Sequence, residues 1–207
     1  MNMKAALFDL DGVLFNTEPE YDRFWEGICA DIMPDKPQMV KAIKGTTLDS
    51  TFEIWFSGPM EKYREEVVRR LNAFEASMPF NPVPGALEYV RTLRSNGVLC
   101  AVVTSSNLIK MSNVYRSHPH FKDLFHAILT SEDFSASKPS PDCYLKAAAR
   151  LNVQPADCVV FEDSINGMKS GRAAKMRVVG IATTLSKETL RPLSDIQLND
   201  FLEIAGA

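Results

Sequence analysis

Ala5-Ala6-Leu7-Phe8-Asp9-Leu10-Asp11-Gly12-Val13-Leu14 places two carboxylates one residue apart where an apolar run meets a glycine turn. The run reads as a buried strand. Side chains alternate along a strand, so Asp9 and Asp11 point the same way. Carboxylates at the end of an apolar strand are costly unless a cation or hydrogen bonds compensate, which leads us to expect a metal there. Two acids so close in sequence can still differ in pKa when one is coordinated and the other lies against apolar surface. Such a difference separates a nucleophile from a proton donor.

The chain has 207 residues, of which 45% are hydrophobic and 24% charged, with a formal net charge of -3. This length allows one substantial core, or a core carrying a smaller accessory domain. With a pI near 5.7 it shows no basic field of the kind that marks a nucleic-acid partner. No apolar stretch reaches the roughly 18 to 20 residues needed to cross a bilayer, and the first strand begins without a signal-peptide pattern. The expected address is cytoplasmic. Cys29, Cys100, Cys143 and Cys158 lack CxxC spacing and read as buried free thiols.

Beyond the first strand the pattern becomes amphipathic and helical from about Glu20 to about Met78. Trp25, Ile28, Ile32, Ile54, Trp55, Val67, Val68, Leu71 and Phe74 are expected to form the apolar seam of this insert. Pro79-Phe80-Asn81-Pro82-Val83-Pro84-Gly85 reads as the return linker, with Phe15-Asn16-Thr17-Glu18-Pro19 as the outgoing one. Two crossings predict a hinge. After it, helical patterns alternate with apolar runs at Leu99 to Thr104, Ala127 to Thr130, Cys158 to Glu162 and Val178 to Ala182. That alternation predicts an α/β fold, a doubly wound parallel sheet with an inserted all-helical domain. The expected division is 1–15 and 84–207 for the core and 16–83 for the insert.

Ligands of open parallel sheets gather at the carboxyl ends of the strands, and the polar clusters of this chain fall at such ends. Asp9 and Asp11 follow the first strand, and Thr104-Ser105-Ser106-Asn107 follows the next. Lys138-Pro139-Ser140-Pro141-Asp142 precedes a helix, and Glu162-Asp163-Ser164 follows Val159-Val160-Phe161. Taken singly, each has a plain explanation. Thr104-Ser105-Ser106 could cap a helix, Lys138 could be a solvated surface lysine, and Glu162-Asp163 could be another cap. Together they point to phosphoryl transfer: hydroxyls and helix-opening amides bind phosphate oxygens, a lysine balances charge, and clustered carboxylates hold magnesium.

At these four motifs, and with Gly167 and Gly171 downstream, the sequence resembles the haloacid dehalogenase-like hydrolase superfamily over essentially its whole length. The resemblance is to the beta-phosphoglucomutase-like phosphatases, whose Rossmann-like core carries a helical cap after the first strand. It implies that Asp9 is a nucleophile forming an aspartyl-phosphate and that Asp11 is the acid and base, its backbone carbonyl also binding Mg2+. It further implies metal ligation by Asp163, with Glu162 as a direct or water-mediated ligand. Thr104 and the amides of Ser105, Ser106 and Asn107 would hold the transferring phosphoryl group, with Lys138 offsetting charge. Dehalogenases of the superfamily lack the second aspartate, so Asp11 favours an alkoxide leaving group.

The cap is implied to close over the site and supply specificity. Glu18 and Tyr21 lead into the first cap helix, and Gly45, Thr46 and Thr47 form a loop expected to reach toward the nucleophile. The alternative for that loop is an ordinary helix stop and N-cap. A charged helix face is the expected role of Lys44 and Lys62. Where beta-phosphoglucomutases carry a cap histidine and an arginine, this chain has Tyr21 and Leu48. Without an arginine fork to hold a second phosphate, hydrolysis is favoured over isomerisation. The expected substrate is a small phosphomonoester, such as a sugar phosphate, acted on by a monomer. A phosphosugar mutase and a phosphometabolite-binding regulatory protein are the alternatives. His118 and His120 are expected to have packing or surface roles, and His126, which opens a strand, is assigned no function.

Overall fold

The computed structural model describes residues 3–205. Six strands of these residues form one sheet: β1 (Ala5–Phe8), β2 (Leu99–Val103), β3 (Ala127–Leu129), β4 (Cys158–Glu162), β5 (Arg177–Ile181) and β6 (Ile196–Leu198). Their order is β3-β2-β1-β4-β5-β6, and every neighbouring pair is parallel. Parallel strands are covered on both faces, which is why β1, β2 and β4 read as continuous apolar runs. β6 was absent from the sequence reading. It is a three-residue, half-buried edge strand, too short to carry a pattern.

Alternation along β1 builds the two layers of the core. Ala6 and Phe8 join the apolar cluster that includes Val90 of α5 (Ala86–Ser95) and Met111 and Val114 of α6 (Leu108–Ser117). Ala5 and Leu7 join the opposite cluster, with Tyr144 and Ala147 of α7 (Asp142–Arg150) and Met168 of α8 (Ile165–Ala173). Phe8 also stacks on Phe161 of β4, with ring centroids 4.6 Å apart. Such a pair adds about 0.5–1.5 kcal/mol beyond area burial and ties the two central strands together.

The chain runs outward from β1 through β2 to β3, then returns to the other side of β1 for β4, β5 and β6. Strand order therefore reverses between β1 and β4. The crevice at the carboxyl ends of these two strands is where such a sheet binds ligands. Asp9 lies just past the end of β1, and Glu162 and Asp163 lie at and just past the end of β4.

The insert contains α1 (Glu18–Ile32), α2 (Met39–Ala42), α3 (Leu48–Trp55), a 3-10 turn (Gly58–Tyr63) and α4 (Arg64–Ser77). It has its own apolar cluster, including Trp25, Ile28, Met39, Phe52, Phe56 and Val67. Ile54, expected in the seam, is instead 67% exposed. Phe52 sets the buried face of α3, and two residues carry the helix about half a turn around its axis. The outgoing and returning strands of chain are joined side by side: Asn16 N donates to Asn81 O at 2.8 Å and Val83 N to Leu14 O at 3.0 Å.

Four further expectations concern local features. Cys29, Cys100, Cys143 and Cys158 are all buried free thiols. The ring of His118 lies 4.8 Å from that of Phe15, and His126 Nδ1 accepts from Cys100 N, so both pack. His120 is solvent-exposed. No helix among the described residues is long and apolar enough to cross a membrane.

Candidate active site

Lys138 is the pivot beneath the crevice. Its Nζ lies 3.1 Å from Asp9 Oδ1, 2.7 Å from Glu162 Oε1 and 3.2 Å from Val103 O. An ammonium has three protons and here has three acceptors. The residue is fully buried, so a solvated surface role is excluded. Burial works against its charge, yet the Asp9 and Glu162 carboxylates push its pKa above the ordinary lysine value.

Glu162 is held from every side. Tyr144 Oη also donates to Oε1 at 2.8 Å, while Asp163 N, Ser164 N and Ser164 Oγ donate to Oε2 at 3.1, 3.2 and 3.1 Å. The approach of α8 depends on Gly167: a Cβ there would sit 1.8 Å from Glu162 Oε1. Gly12 is required for two reasons. Its φ is +70°, and a Cβ would fall 2.1 Å from Asp163 Oδ2.

Asp9, Glu162 and Asp163 each offer an oxygen, all within 4.8 Å of one another. The first acid of the β1 pair and both acids of the β4 pair therefore come together in one cluster. Burial raises the pKa of Asp9 to about 7; Lys138 opposes the rise, and Glu162 and Asp11 add to it. Burial also pushes Asp163 well up, with Glu18, Glu162 and Asp9 contributing, although the Thr184 hydroxyl donates to its Oδ2. Three buried carboxylates thus face a single ammonium. A hard oxygen donor set with this excess of negative charge fits a divalent cation such as Mg2+.

Asp11 points elsewhere. Its carboxylate accepts from Thr17 Oγ1, from Ser106 Oγ at 3.0 Å and from Lys110 Nζ at 2.5 Å. Thr17 occupies the N-cap position of α1, yet its side chain makes no cap hydrogen bond there; the hydroxyl serves Asp11 instead. Lys110 Nζ also lies 4.4 Å from the centre of the Tyr21 ring. Tyr21 Oη in turn donates to Glu75 Oε1 at 2.7 Å.

A cavity of about 330 Å³ opens above these groups, between sheet and insert. Of the residues expected at the site, Asp9, Asp11 and Asp163 line it from the core, with Ser105, Ser106 and Asn107. Glu18, Tyr21, Gly45, Thr46 and Thr47 line it from the insert. Thr104, Lys138 and Glu162 are fully buried and do not contribute to the lining. Helix capping, the plainer reading of the Thr104 and Thr47 segments, is observed in both. Thr104 Oγ1 accepts from Ser106 N, Asn107 caps α6, and Thr47 caps α3 by accepting from Ser50 N.

The loop at residues 44–47 is docked on the core. Ser105 Oγ donates to Gly45 O, Ser137 Oγ accepts from Thr47 N, and Asn166 Nδ2 donates to Lys44 O, each at 3.1 Å. Gly45, at φ +74°, passes so near Ser164 that a Cβ would lie 2.4 Å from Oγ. Lys44, expected on a solvated face, lines the cavity and pairs with Glu18 at 2.9 Å and Asp22 at 2.7 Å. Its carboxylate partners are one turn apart on α1, which draws the lysine inward. Lys110, Glu75, Tyr144 and Thr184 were also missed. Each looks like an ordinary polar residue in its own segment, and only its distant partner marks it.

A doubly wound sheet with an acidic, lysine-braced crevice under a helical insert is the layout of a phosphoryl-transfer hydrolase of the haloacid dehalogenase type. The family model described as haloacid dehalogenase-like hydrolase matches residues 3–175, and the chain belongs to that family. It is 32% identical to hexitol phosphatase B of Escherichia coli strain K12, over 98% of this chain and 94% of that protein. It is 30% identical to the beta-phosphoglucomutase of Bacillus subtilis, over 86% of this chain and 83% of that protein. Among solved structures, CbbY from Rhodobacter sphaeroides in complex with phosphate shares the fold. The TM-score is 0.79, with 22% identity over 98% of this chain and 96% of that one.

Proposed function

We propose that the chain is a Mg2+-dependent phosphatase that hydrolyses a small sugar or polyol monophosphate through a phospho-aspartate. The observation that carries this reading is the convergence of Asp9 and Asp163, with Lys138 paired to Asp9, beneath the cavity between sheet and insert. The similarity to hexitol phosphatase B supports the substrate class. Asp9, Asp163 and the backbone carbonyl of Asp11 would hold the ion, which supplies positive charge to the reacting phosphate. With all its hydrogen-bonding positions engaged by the protein, Glu162 acts behind them by fixing Lys138.

Asp9 attacks phosphorus, forming the aspartyl-phosphate as the bond to the alkoxide breaks. Asp11, acting in its protonated form and not as the carboxylate paired with Lys110, gives its proton to that alkoxide. Asp11 then takes a proton from water, whose oxygen attacks the same phosphorus. The bond from phosphorus to Asp9 breaks, and inorganic phosphate leaves. Lys138 keeps the Asp9 carboxylate in one rotamer throughout. Ser105 and Ser137 tie the loop from Lys44 to Thr47 over one side of the cavity, which limits the access of bulk water there.

Hydrolysis is favoured over isomerisation by the charge of the cavity. Its lining holds two ammoniums, and both are already paired: Lys44 with Glu18 and Asp22, Lys110 with Asp11. Eight carboxylates stand against them, so a second dianionic phosphate has no cation waiting for it. With Mg2+ and a panel of hexose and hexitol monophosphates, the expected result is release of inorganic phosphate without any bisphosphate activator. Isomer formation outpacing phosphate release would establish a mutase. Ligand-induced stabilisation without phosphate release would establish a binding protein.

The metal reading has a pH signature. Asp9 keeps a proton up to about pH 7 in the fold, against an ordinary value of 3.8, so protonation favours the folded chain between those values. That contribution is lost as pH rises through about 7. A cation replaces the proton, so the rise in Tm caused by Mg2+ is expected to be larger above pH 7 than well below it. Equal rises on both sides would place the ion away from Asp9.

A further inference from the structure

Glu75 lies in the last turn of α4, 4% exposed, and lines the same cavity as Asp9 and Asp11. Its Oε1 accepts from Tyr21 Oη at 2.7 Å. Its Oε2 has no hydrogen-bond partner, the single such buried side-chain atom among the described residues. A buried carboxylate oxygen without a donor is expensive, and native folds rarely keep one without a use.

The surroundings say which donor suits it. Asp11, Lys110, Tyr21 and Glu75 follow one another by direct contact, from the acid beside the reaction centre to the orphan oxygen. A phosphomonoester whose phosphate is seated at Asp9 therefore shares one cavity with Glu75. The lining carries eight carboxylates against two already paired ammoniums, which disfavours a second anionic group beside Glu75. A neutral hydroxyl gives Oε2 a proton at no charge cost, whereas an alkyl carbon leaves it unpaired.

We propose that Glu75 is a specificity-determining residue whose Oε2 accepts a hydrogen bond from a hydroxyl on the carbon chain of the substrate. This selects polyol and sugar monophosphates over alkyl monophosphates of the same length. Tyr21 fixes the carboxylate through Oε1, and Lys110 joins it to Asp11. The inference rests on the phosphomonoester reading above, but its test is separable from it.

Calorimetric titration in the Asp9→Asn background with Mg2+ measures binding without turnover. The probes are sorbitol phosphate and hexyl phosphate, which share a six-carbon chain and a phosphate and differ in hydroxyls. The Asp9→Asn protein is expected to prefer sorbitol phosphate, and adding Glu75→Leu is expected to reduce that preference by roughly tenfold or more. Adding the isosteric Glu75→Gln, which preserves volume and packing, is expected to produce a smaller reduction in the same direction. An unchanged preference in both variants means that water alone completes Oε2, and it overturns the proposal. Absence of any preference before Glu75 is altered overturns it equally. Phosphate release by the native chain is scored separately, so loss of the catalytic reading is not mistaken for loss of this one.

Discussion

Replacing Asp9 with asparagine is expected to lower phosphate release by about 10⁴-fold or more, the scale seen when a covalent nucleophile is removed. Asparagine fills the same volume but cannot form an acyl phosphate. The fold is expected to survive, because Lys138 keeps Glu162 and the Val103 carbonyl as acceptors. Without Mg2+ the variant is expected to be at least as stable above pH 7, where burial makes the ionised Asp9 costly. Phosphate release and thermal unfolding on the same preparation check both halves. Turnover within tenfold of the native rate would remove Asp9 from the chemistry.

Lys138→Met is expected to have the largest effect on stability. It leaves Asp9 and Glu162 buried without their shared cation, a change that costs about 3–5 kcal/mol when a buried pair is broken. For a chain of this size the drop in Tm is on the order of ten degrees. Since the stranded carboxylates can take up protons, the loss should shrink as pH falls. Denaturant unfolding at two pH values measures this. A loss below about 1 kcal/mol at neutral pH, the scale of an exposed ion pair, would contradict the buried network.

The parts of this site that were legible in the sequence are those where one segment carries the whole signal. β1 and β4 are central parallel strands, so their apolar runs end abruptly in polar residues, and Asp9, Glu162 and Asp163 stand at those ends. Lys138 was legible only in company: alone it is a loop lysine, and its burial follows from where the loop lands. Lys110 and Glu75 gave no local signal. Each occupies a helix where charged residues are ordinarily solvated, and each becomes buried because α4 and α6 pack together, with Arg116 of α6 donating to Ala76 O of α4. The partner that defines Lys110 is Asp11, 99 residues earlier in the chain. Ile54 illustrates the converse limit, since the phase of a two-turn helix decides which of two neighbouring apolar residues is covered.

Lys44 follows the same logic. In sequence it precedes a glycine turn and reads as a surface charge, yet Glu18 and Asp22 on α1 hold it over the cavity. The contacts made by Ser105, Ser137 and Asn166 then fix the loop that carries it. The residues proposed to select substrate are therefore placed by long-range pairings, whereas those proposed to carry the reaction stand at strand ends. That division explains why a reaction class could be read from the chain while Glu75 could not.

The claim on which the account depends is that Asp9 itself takes the phosphoryl group. Rapid acid quench during turnover of a phosphate-labelled hexitol phosphate, followed by peptide mapping, tests it directly. The account predicts transient label on the peptide containing Asp9, formed no slower than steady-state turnover and absent in Asp9→Asn. Phosphate release by the native chain with no label ever reaching that peptide would mean direct attack by water, and would contradict it.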